Sequence, residues 1–284
     1  MSRPRWGVYA ILAPALALAL APLAWMILTA LKIRGYGTRM VFWPQMVETA
    51  GGERKFLYTM DNVANVLTDK SFNFALFAWN SLIVAGGCGV LTVALCSMAG
   101  YGFAKKNFPG RDRIFAGLIG VMLVPGLIFM VPQFAIVLKL GWMNSYTAMI
   151  VPHAANVFGL FLLRQHIRQL PDSLLEAAKV DGAGELLIFR VVVLPLAIPV
   201  LVTLFLLVFV GQWSNFLWQL IVNTPDKAGK ITLPVGLQLF QGQYSVEWER
   251  MMAGACFSIV PIAVLFLVAQ RYFVAGLTAG GVKE

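Results

Sequence analysis

Residues 164–190 read RQHIRQLPDSLLEAAKVDGAGELLIFR, a polar segment that lies between two long apolar runs. Within it, Pro171 followed by Asp172 is typical of a helix start, because proline is tolerated in the first turn and an acidic side chain interacts favourably with the positive end of a helix. Gly182 is typical of a helix end, since glycine adopts the left-handed conformation without strain. The segment therefore predicts a short helix from Asp172 to Val180.

The side chains of this predicted helix divide into two groups. Glu176 and Lys179 lie apart from a face made of small and apolar residues. Two alanines make that face shallow, so that another surface can approach it closely. On composition alone, the segment is more simply an amphipathic connector that rests on the membrane surface. The residues that recur at spacings of three and four, and so share the face, are Leu174, Ala177, Ala178 and Asp181.

The apolar runs on either side of this segment indicate a membrane protein. Of the 284 residues, 59% are hydrophobic and only 12% are charged, whereas a soluble domain carries roughly 25% charged residues. A water-soluble globule is therefore excluded. A helix needs about 20 mainly apolar residues to cross a bilayer. The runs that meet this requirement are Tyr9–Leu31, Phe74–Ala104, Ile114–Leu138, Tyr146–Leu163, Val191–Val222 and Met251–Phe273.

The basic residues indicate how these six predicted spans are oriented. The first span is too long for a cleaved signal peptide and has no convincing cleavage site, so we expect it to be retained. Six spans place both termini on one side of the membrane. The short loop Lys105–Arg113 concentrates basic residues, which favours the cytoplasmic side for that loop and for both termini. Segments 32–73 and 223–250 then form the outer loops.

The net charge of +9 does not indicate a nucleic-acid-binding protein, because the basic residues lie between apolar runs rather than on one polar face. The cysteines also lie in apolar runs and lack the spacing of a disulfide framework or a zinc site. We interpret them as small buried hydrophobic residues and expect no metal site. The three cysteines are Cys88, Cys96 and Cys256.

A motif in the opening segment resembles a known family. Glu176-Ala177-Ala178, Gly182 and Val192-x-Leu194-Pro195 match the EAA motif, EAA-x3-G-x9-I-x-L-P, of binding-protein-dependent ABC importer permeases, with valine in place of isoleucine. The C-terminal run 270–283 and the stretch Asn107–Arg113 are similar to the carbohydrate-type permeases, the maltose permeases among them. The resemblance covers nearly the whole chain, treated as one permease domain with a core at 74–273.

This resemblance implies an all-α integral membrane protein with the type I importer fold, in the cytoplasmic membrane of a bacterium or archaeon. Such a permease forms a heterodimer with a second homologous permease and works with two ABC ATPase subunits and an extracytoplasmic solute-binding protein. It has no catalytic residues or cofactor, because ATP and Mg are bound by the ATPases. Our sequence correspondingly lacks phosphate-loop, HExxH and GxSxG motifs.

The resemblance also implies roles for individual residues. Glu176, Ala177 and Ala178 would contact the ATPase, while Gly182 would turn the chain back towards the membrane. Leu194 and Pro195 would begin the fifth span. The tail after Phe273 would reach between the ATPase subunits. Its candidate contact residues are Gly276, Thr278, Gly280 and Lys283.

Polar side chains inside the predicted spans are candidates for a solute pathway, because an unpartnered polar atom in lipid is costly. Neutral amides beside tryptophan suit sugars, which offer hydroxyl groups for hydrogen bonds and C–H faces for stacking. Hydrogen bonding between helices and an interfacial aromatic belt explain the same residues. The main candidates are Asn80, Asn156, Gln212, Trp213 and Asn215.

Two other classes of function remain as alternatives. A secondary transporter or channel would need no ATPase, but the EAA match and the lack of acidic residues well inside the spans argue against it. A membrane-embedded enzyme lacks its catalytic constellation, since His153 and His166 have no companion ligands in the sequence. The resemblance to carbohydrate-type permeases and the amides in the spans favour a carbohydrate or a similar polyol as the solute.

Overall fold

The computed structural model describes residues 6–49, 51–69, 72–223, 230–242 and 246–279. These residues are mostly helical, and a two-stranded antiparallel hairpin in the first outer loop is an addition to the all-helical prediction. The elements in chain order are α1 (Trp6–Leu31), β1 (Met46–Glu48), β2 (Arg54–Phe56), α2 (Asp61–Thr68), α3 (Phe74–Lys105), α4 (Arg111–Val121), α5 (Met130–Lys139), α6 (Tyr146–Ile150), α7 (Val157–Arg168), α8 (Asp172–Val180), α9 (Glu185–Ile188), α10 (Leu194–Trp213), α11 (Leu217–Val222), α12 (Leu233–Leu237) and α13 (Trp248–Ala279).

The described residues contain four helices that are long and apolar enough to cross a membrane, and two bent helix pairs that bring the number to six. The bent pairs correspond to the predicted third and fourth spans. Arg111–Val121 and Gly126–Lys139 meet at 95°, and Tyr146–His153 and Val157–Arg168 meet at 48°. The structure agrees with the six predicted spans when each bent pair is counted as one span.

The third span bends where Pro125 interrupts the helix. Pro125 has an extended backbone, with φ −57° and ψ 126°, and a short 3₁₀ turn at Gly126–Phe129 leads into α5. Proline has no N–H for the helical ladder and clashes with the preceding turn, so a sharp bend at this position has a direct cause. The sequence predicted one uninterrupted span, Ile114–Leu138, across this proline.

The predicted fifth span, Val191–Val222, has different limits in the structure. One continuous helix runs from Glu185 to Trp213, and α11 is a separate short helix. Pro195 lies inside the continuous helix and does not begin it, which corrects the prediction. A π-helical turn at Phe189–Val193 directly precedes α10; a widened turn of this kind accommodates a residue that lacks an N–H group.

The contacts divide the chain into two compact units, and residues 1–78 with 235–261 form the first. Asn62 connects the end of α1 to α2, because its amide donates to the carbonyls of Ala30 and Lys32 at 2.9 and 2.7 Å. The buried Lys32 amine donates to the Arg39 carbonyl at 2.7 Å. Burial lowers the pKa of Lys32, and the negative charge of Glu249 opposes that shift.

The second unit, residues 79–234 with 262–284, contains the largest apolar core of the described chain. Helix α7 passes close to α3 and α10 at Gly159. A Cβ atom at this position would lie 2.9 Å from Leu204 Cδ1 and 3.1 Å from Cys96 Sγ. Gly159 therefore permits a close approach of helices, as small residues commonly do in membranes.

This close approach predicts a stability effect. We expect Gly159→Ala to lower the free energy of unfolding by about 1–3 kcal/mol, because the added methyl group overpacks the junction. The control is Gly86→Ala in α3, where a Cβ atom meets nothing within 4 Å. Thermal unfolding of both purified variants in detergent measures the difference, and equal midpoints would contradict this account of the packing.

Candidate functional site

Helix α8 lies at Asp172–Val180, which are the limits predicted from the sequence. It ends in a Schellman motif, in which Gly182 N–H donates to Lys179 O at 3.0 Å and Ala183 N–H donates to Ala178 O at 2.9 Å. Gly182 has a φ of +80°, which confirms it as the helix-ending residue.

The faces of α8 differ in exposure. Leu175 is buried, and Ala178 packs half-buried against the core of its own unit. Glu176 and Ala177 are exposed, as are Leu174 and Val180. The two alanines of the motif therefore have different surroundings. Ala177 is available to another molecule, whereas Ala178 helps to hold the helix in place.

Two consecutive lysines at the end of α3 contact the segments on either side of α8. The Lys105 amine donates to Asp172 Oδ1 at 2.7 Å and to the Leu170 carbonyl at 2.6 Å. Lys106 forms an ion pair with Glu185, which also accepts a hydrogen bond from the Tyr101 hydroxyl at 2.8 Å. Partial burial disfavours the charged form of Lys106, but the hydrogen bonds to Glu185 and Tyr101 outweigh it and raise its pKa.

A second feature of this unit is a cavity of about 380 Å³ between the broken fourth span and α10. Gln133, Asn156 and Gln212 contribute its amide groups. The Asn156 side chain accepts from Gly159 N–H at 2.7 Å and thereby caps α7. The apolar residues around these amides include Pro152, Phe158, Leu204, Leu207 and Val208.

His153 also lines the cavity, and its Nε2 atom is buried with no hydrogen-bond partner. Its ring packs edge-on against Trp218, with the ring centroids 5.6 Å apart. From the sequence, His153 was interpreted as a side chain near the outer end of a span. Pro152 and His153 mark an interruption of the fourth span in the sequence, but the meeting of His153 with Gln133 and Gln212 at one cavity was not predicted.

The predicted pathway residues do not all meet at this cavity. Asn156 and Gln212 line it, and Asn215 donates to Gln212 Oε1 at 3.1 Å. Trp213 is buried and stacks on Phe209. Asn80 lies elsewhere in the unit, where it donates to the Ile231 carbonyl at 2.9 Å and accepts from the Tyr146 hydroxyl at 2.6 Å.

Part of the predicted tail lies within the described chain. Helix α13 continues to Ala279, so Gly276 and Thr278 belong to that helix rather than to a separate tail. Gly280 and Lys283 lie outside the described residues.

These features can now be compared with known proteins. Residues 69–278 match the model of a family described as "Binding-protein-dependent transport system inner membrane component". The chain belongs to this family. The match contains the whole EAA segment and the cavity, and it confirms the resemblance on which the sequence prediction rested.

The chain is similar to several transport permeases. The chain is 36% identical over 228 residues to the arabinooligosaccharides transport system permease protein AraQ of Halalkalibacterium halodurans, with 79% of this chain and 80% of the relative covered. It is 35% identical over 228 residues to the trehalose/maltose transport system permease protein MalG of Thermococcus litoralis, with 79% and 81% covered. It is 30% identical over 283 residues to the lactose transport system permease protein LacG of Rhizobium radiobacter, with 97% and 95% covered.

Solved structures confirm the importer permease fold. A chain of a bacterial ABC transporter involved in the import of the acidic polysaccharide alginate superimposes with a TM-score of 0.74 at 21% identity, covering 96% of this chain and 99% of that one. A chain of the MetNI methionine ABC transporter in inward-facing conformations gives a TM-score of 0.53 at 16% identity, covering 73% and 98%. At these identities the likeness concerns the fold alone.

The turn after α8 can be tested with a matched pair of glycines. We expect Gly182→Ala to destabilise the turn by about 1 kcal/mol, because a Cβ atom is strained at positive φ. Gly184→Ala is the control, since Gly184 has φ −72° and ψ 163° and a Cβ atom there meets nothing within 4 Å. Hydrogen exchange of the Gly182 and Ala183 amides measures the effect, and equal protection in the two variants would refute it.

Proposed function

We propose that this permease is one half of the membrane channel of an ATP-driven importer, with α8 as its contact with an ATPase subunit. The observation that supports this most directly is the exposed face of α8, which presents Glu176 and Ala177 of the EAA motif on a helix held by its own core through Leu175. A docked helix transmits force only if it moves as a rigid body, and this packing supports rigidity.

The partners follow from this assignment. Two ABC ATPase subunits bind ATP and Mg and hydrolyse the nucleotide, while this chain contributes no catalytic group. A second homologous permease forms the other half of the channel, and a solute-binding protein delivers the solute from outside. The protein resides in the cytoplasmic membrane of a bacterium or archaeon, with α8 and both termini on the cytoplasmic side. The basic residues beside α8 support this orientation.

The solute is a carbohydrate or a similar polyol. The cavity at the broken fourth span offers amides from Asn156 and Gln212 beside apolar walls, a combination that suits hydroxyl groups and C–H faces. Related permeases named for arabinooligosaccharides, trehalose/maltose and lactose support the same class. Solute crosses by alternating access, as closure of the ATPases moves the spans connected to α8.

The docking role of α8 can be tested by enlarging its exposed alanine. We expect Ala177→Trp to abolish copurification with the ATPase subunits and solute-stimulated ATP hydrolysis, because the indole prevents close approach of the two surfaces. The control is Ala64→Trp, an exposed alanine on the short helix α2 of the other unit. Tryptophan at that position should leave ATPase binding at the wild-type level.

The same assay separates the proposal from its main alternative. If Ala177→Trp kept both ATPase binding and stimulated hydrolysis, the docking assignment would be wrong. If proteoliposomes that contain only the permeases accumulated solute without ATP, the protein would be a secondary transporter or channel.

The cavity makes a separate prediction about transport. Gly211 lines it, and a Cβ atom at this position meets nothing within 4 Å. Gly211→Trp should fill the cavity and reduce solute uptake by about tenfold or more while ATPase binding persists, because the indole occupies space that a ligand needs. Gly211→Ala is the control at the same position, and uptake measured in proteoliposomes should stay near the wild-type rate. Full uptake by Gly211→Trp would exclude this cavity from the pathway.

A further inference from the structure

We propose that Lys105 and Lys106 form a two-point clamp that makes α3 move together with α8. This inference rests on the proposed docking of α8 to an ATPase. The peptide chain itself connects α8 only to α7 and to the helix Glu185–Trp213. Through the clamp, a third membrane helix, α3, would move together with α8. The two lysines would then act as positioning residues for transport.

The first point of the clamp is at the start of α8. The Lys105 side chain is only 7% exposed, and its amine contacts Asp172 Oδ1 and the carbonyls of Leu170 and Arg168. A cation at a helix N-terminus is unfavourable by itself, because the helix dipole is positive there. The Asp172 carboxylate and the Leu170 carbonyl offset that cost, while the Arg168 carbonyl lies farther away, at 3.5 Å. Lys105 is therefore held by the start of α8 and the residues just before it.

The second point is just beyond the Gly182 turn. Lys106 pairs with Glu185, and its amine also lies 5.1 Å from the centre of the Tyr101 ring. Tyr101 donates to the same carboxylate, and its ring lies 5.5 Å from that of Phe189. The end of α3 thus holds the start of the helix that runs to Trp213. Both ends of the α8 segment are connected to one helix by adjacent residues.

The strength of these contacts suits a mechanical role better than a folding role. The Lys106 and Glu185 side chains are 33% and 53% exposed, and an ion pair of exposed groups contributes about 0–1 kcal/mol to stability. The buried core around Leu163, Ile167 and Ile188 holds the unit together without them. Loss of the clamp should therefore leave the fold intact and let α8 move without α3.

A charge reversal with its rescue tests the clamp in the complete complex with both permeases, the ATPases and the binding protein. The readout is the amount of solute transported per ATP hydrolysed in proteoliposomes. We expect Lys106→Glu and Glu185→Lys each to lower this ratio about fivefold, the lower end of typical coupling effects, with ATPase copurification unchanged. The double variant Lys106→Glu/Glu185→Lys should restore the ratio. The control is Lys55→Glu, which reverses a lysine in another exposed ion pair, with Glu53.

The outcomes separate this inference from the proposed function. A normal ratio in both single variants would overturn the clamp and leave docking of α8 in place. Failure of the double variant to recover would also overturn it, since the effect would then not come from the pair. If the wild-type permease did not bind the ATPases at all, the proposed function itself would fail.

Discussion

An unpaired peptide group inside a bilayer costs several kcal/mol, and the fourth span is nonetheless broken within its length. Side chains of α3 lie close to backbone carbonyls on both sides of the break. Cys88 Sγ lies 3.7 Å from the Met149 and Ile150 carbonyls, Thr92 Oγ1 lies 3.4 Å from that of His153, and Cys96 Sγ lies 3.2 Å from that of Asn156. These three donors recur every four residues and so form one stripe along α3. The stripe therefore supplies weak hydrogen-bond donors along the bent part of the fourth span.

The cavity is a consequence of the same break. A straight fourth helix would use its own backbone to pair every N–H group, and Asn156 would have no helix terminus to cap. Because the helix restarts at Val157, the Asn156 side chain lies beside the amide of Gln212 and the imidazole of His153. Each polar group is costly in lipid unless it has a partner or a ligand. These polar side chains line one cavity, where hydrogen bonds from a polar solute could offset the cost of leaving them unpartnered.

The structural features that could be predicted from the sequence are those set by residues close together in the chain. Helix α8 and its Gly182 turn were predicted correctly, because a proline, an acidic residue and a glycine at the right spacing act within a few residues. The bend at Pro125 and the π turn before Pro195 also have local causes, but whether a proline bends, widens or ends a helix depends on the neighbouring helices. The different burial of Ala177 and Ala178 depends on the core beneath α8 and not on the motif. The cysteines were expected to be small buried hydrophobic residues; Cys88 and Cys96 are buried and also act as weak donors, whereas Cys256 is only half-buried.

Charged residues are few in this chain, which supports a specific structural role for those beside α8. Charged residues are rare in membrane-spanning segments. A basic residue in a short loop contributes to the positive-inside orientation from any position in that loop. In addition, Lys105 contacts Asp172 at the start of α8, and Lys106 contacts Glu185 beyond its end. Moving one of these lysines to another position in the loop would keep the number of basic residues, and with it the orientation signal. It would lose the contact with the carboxylate. The contacts with Asp172 and Glu185 therefore constrain the positions of the two lysines in addition to the orientation rule.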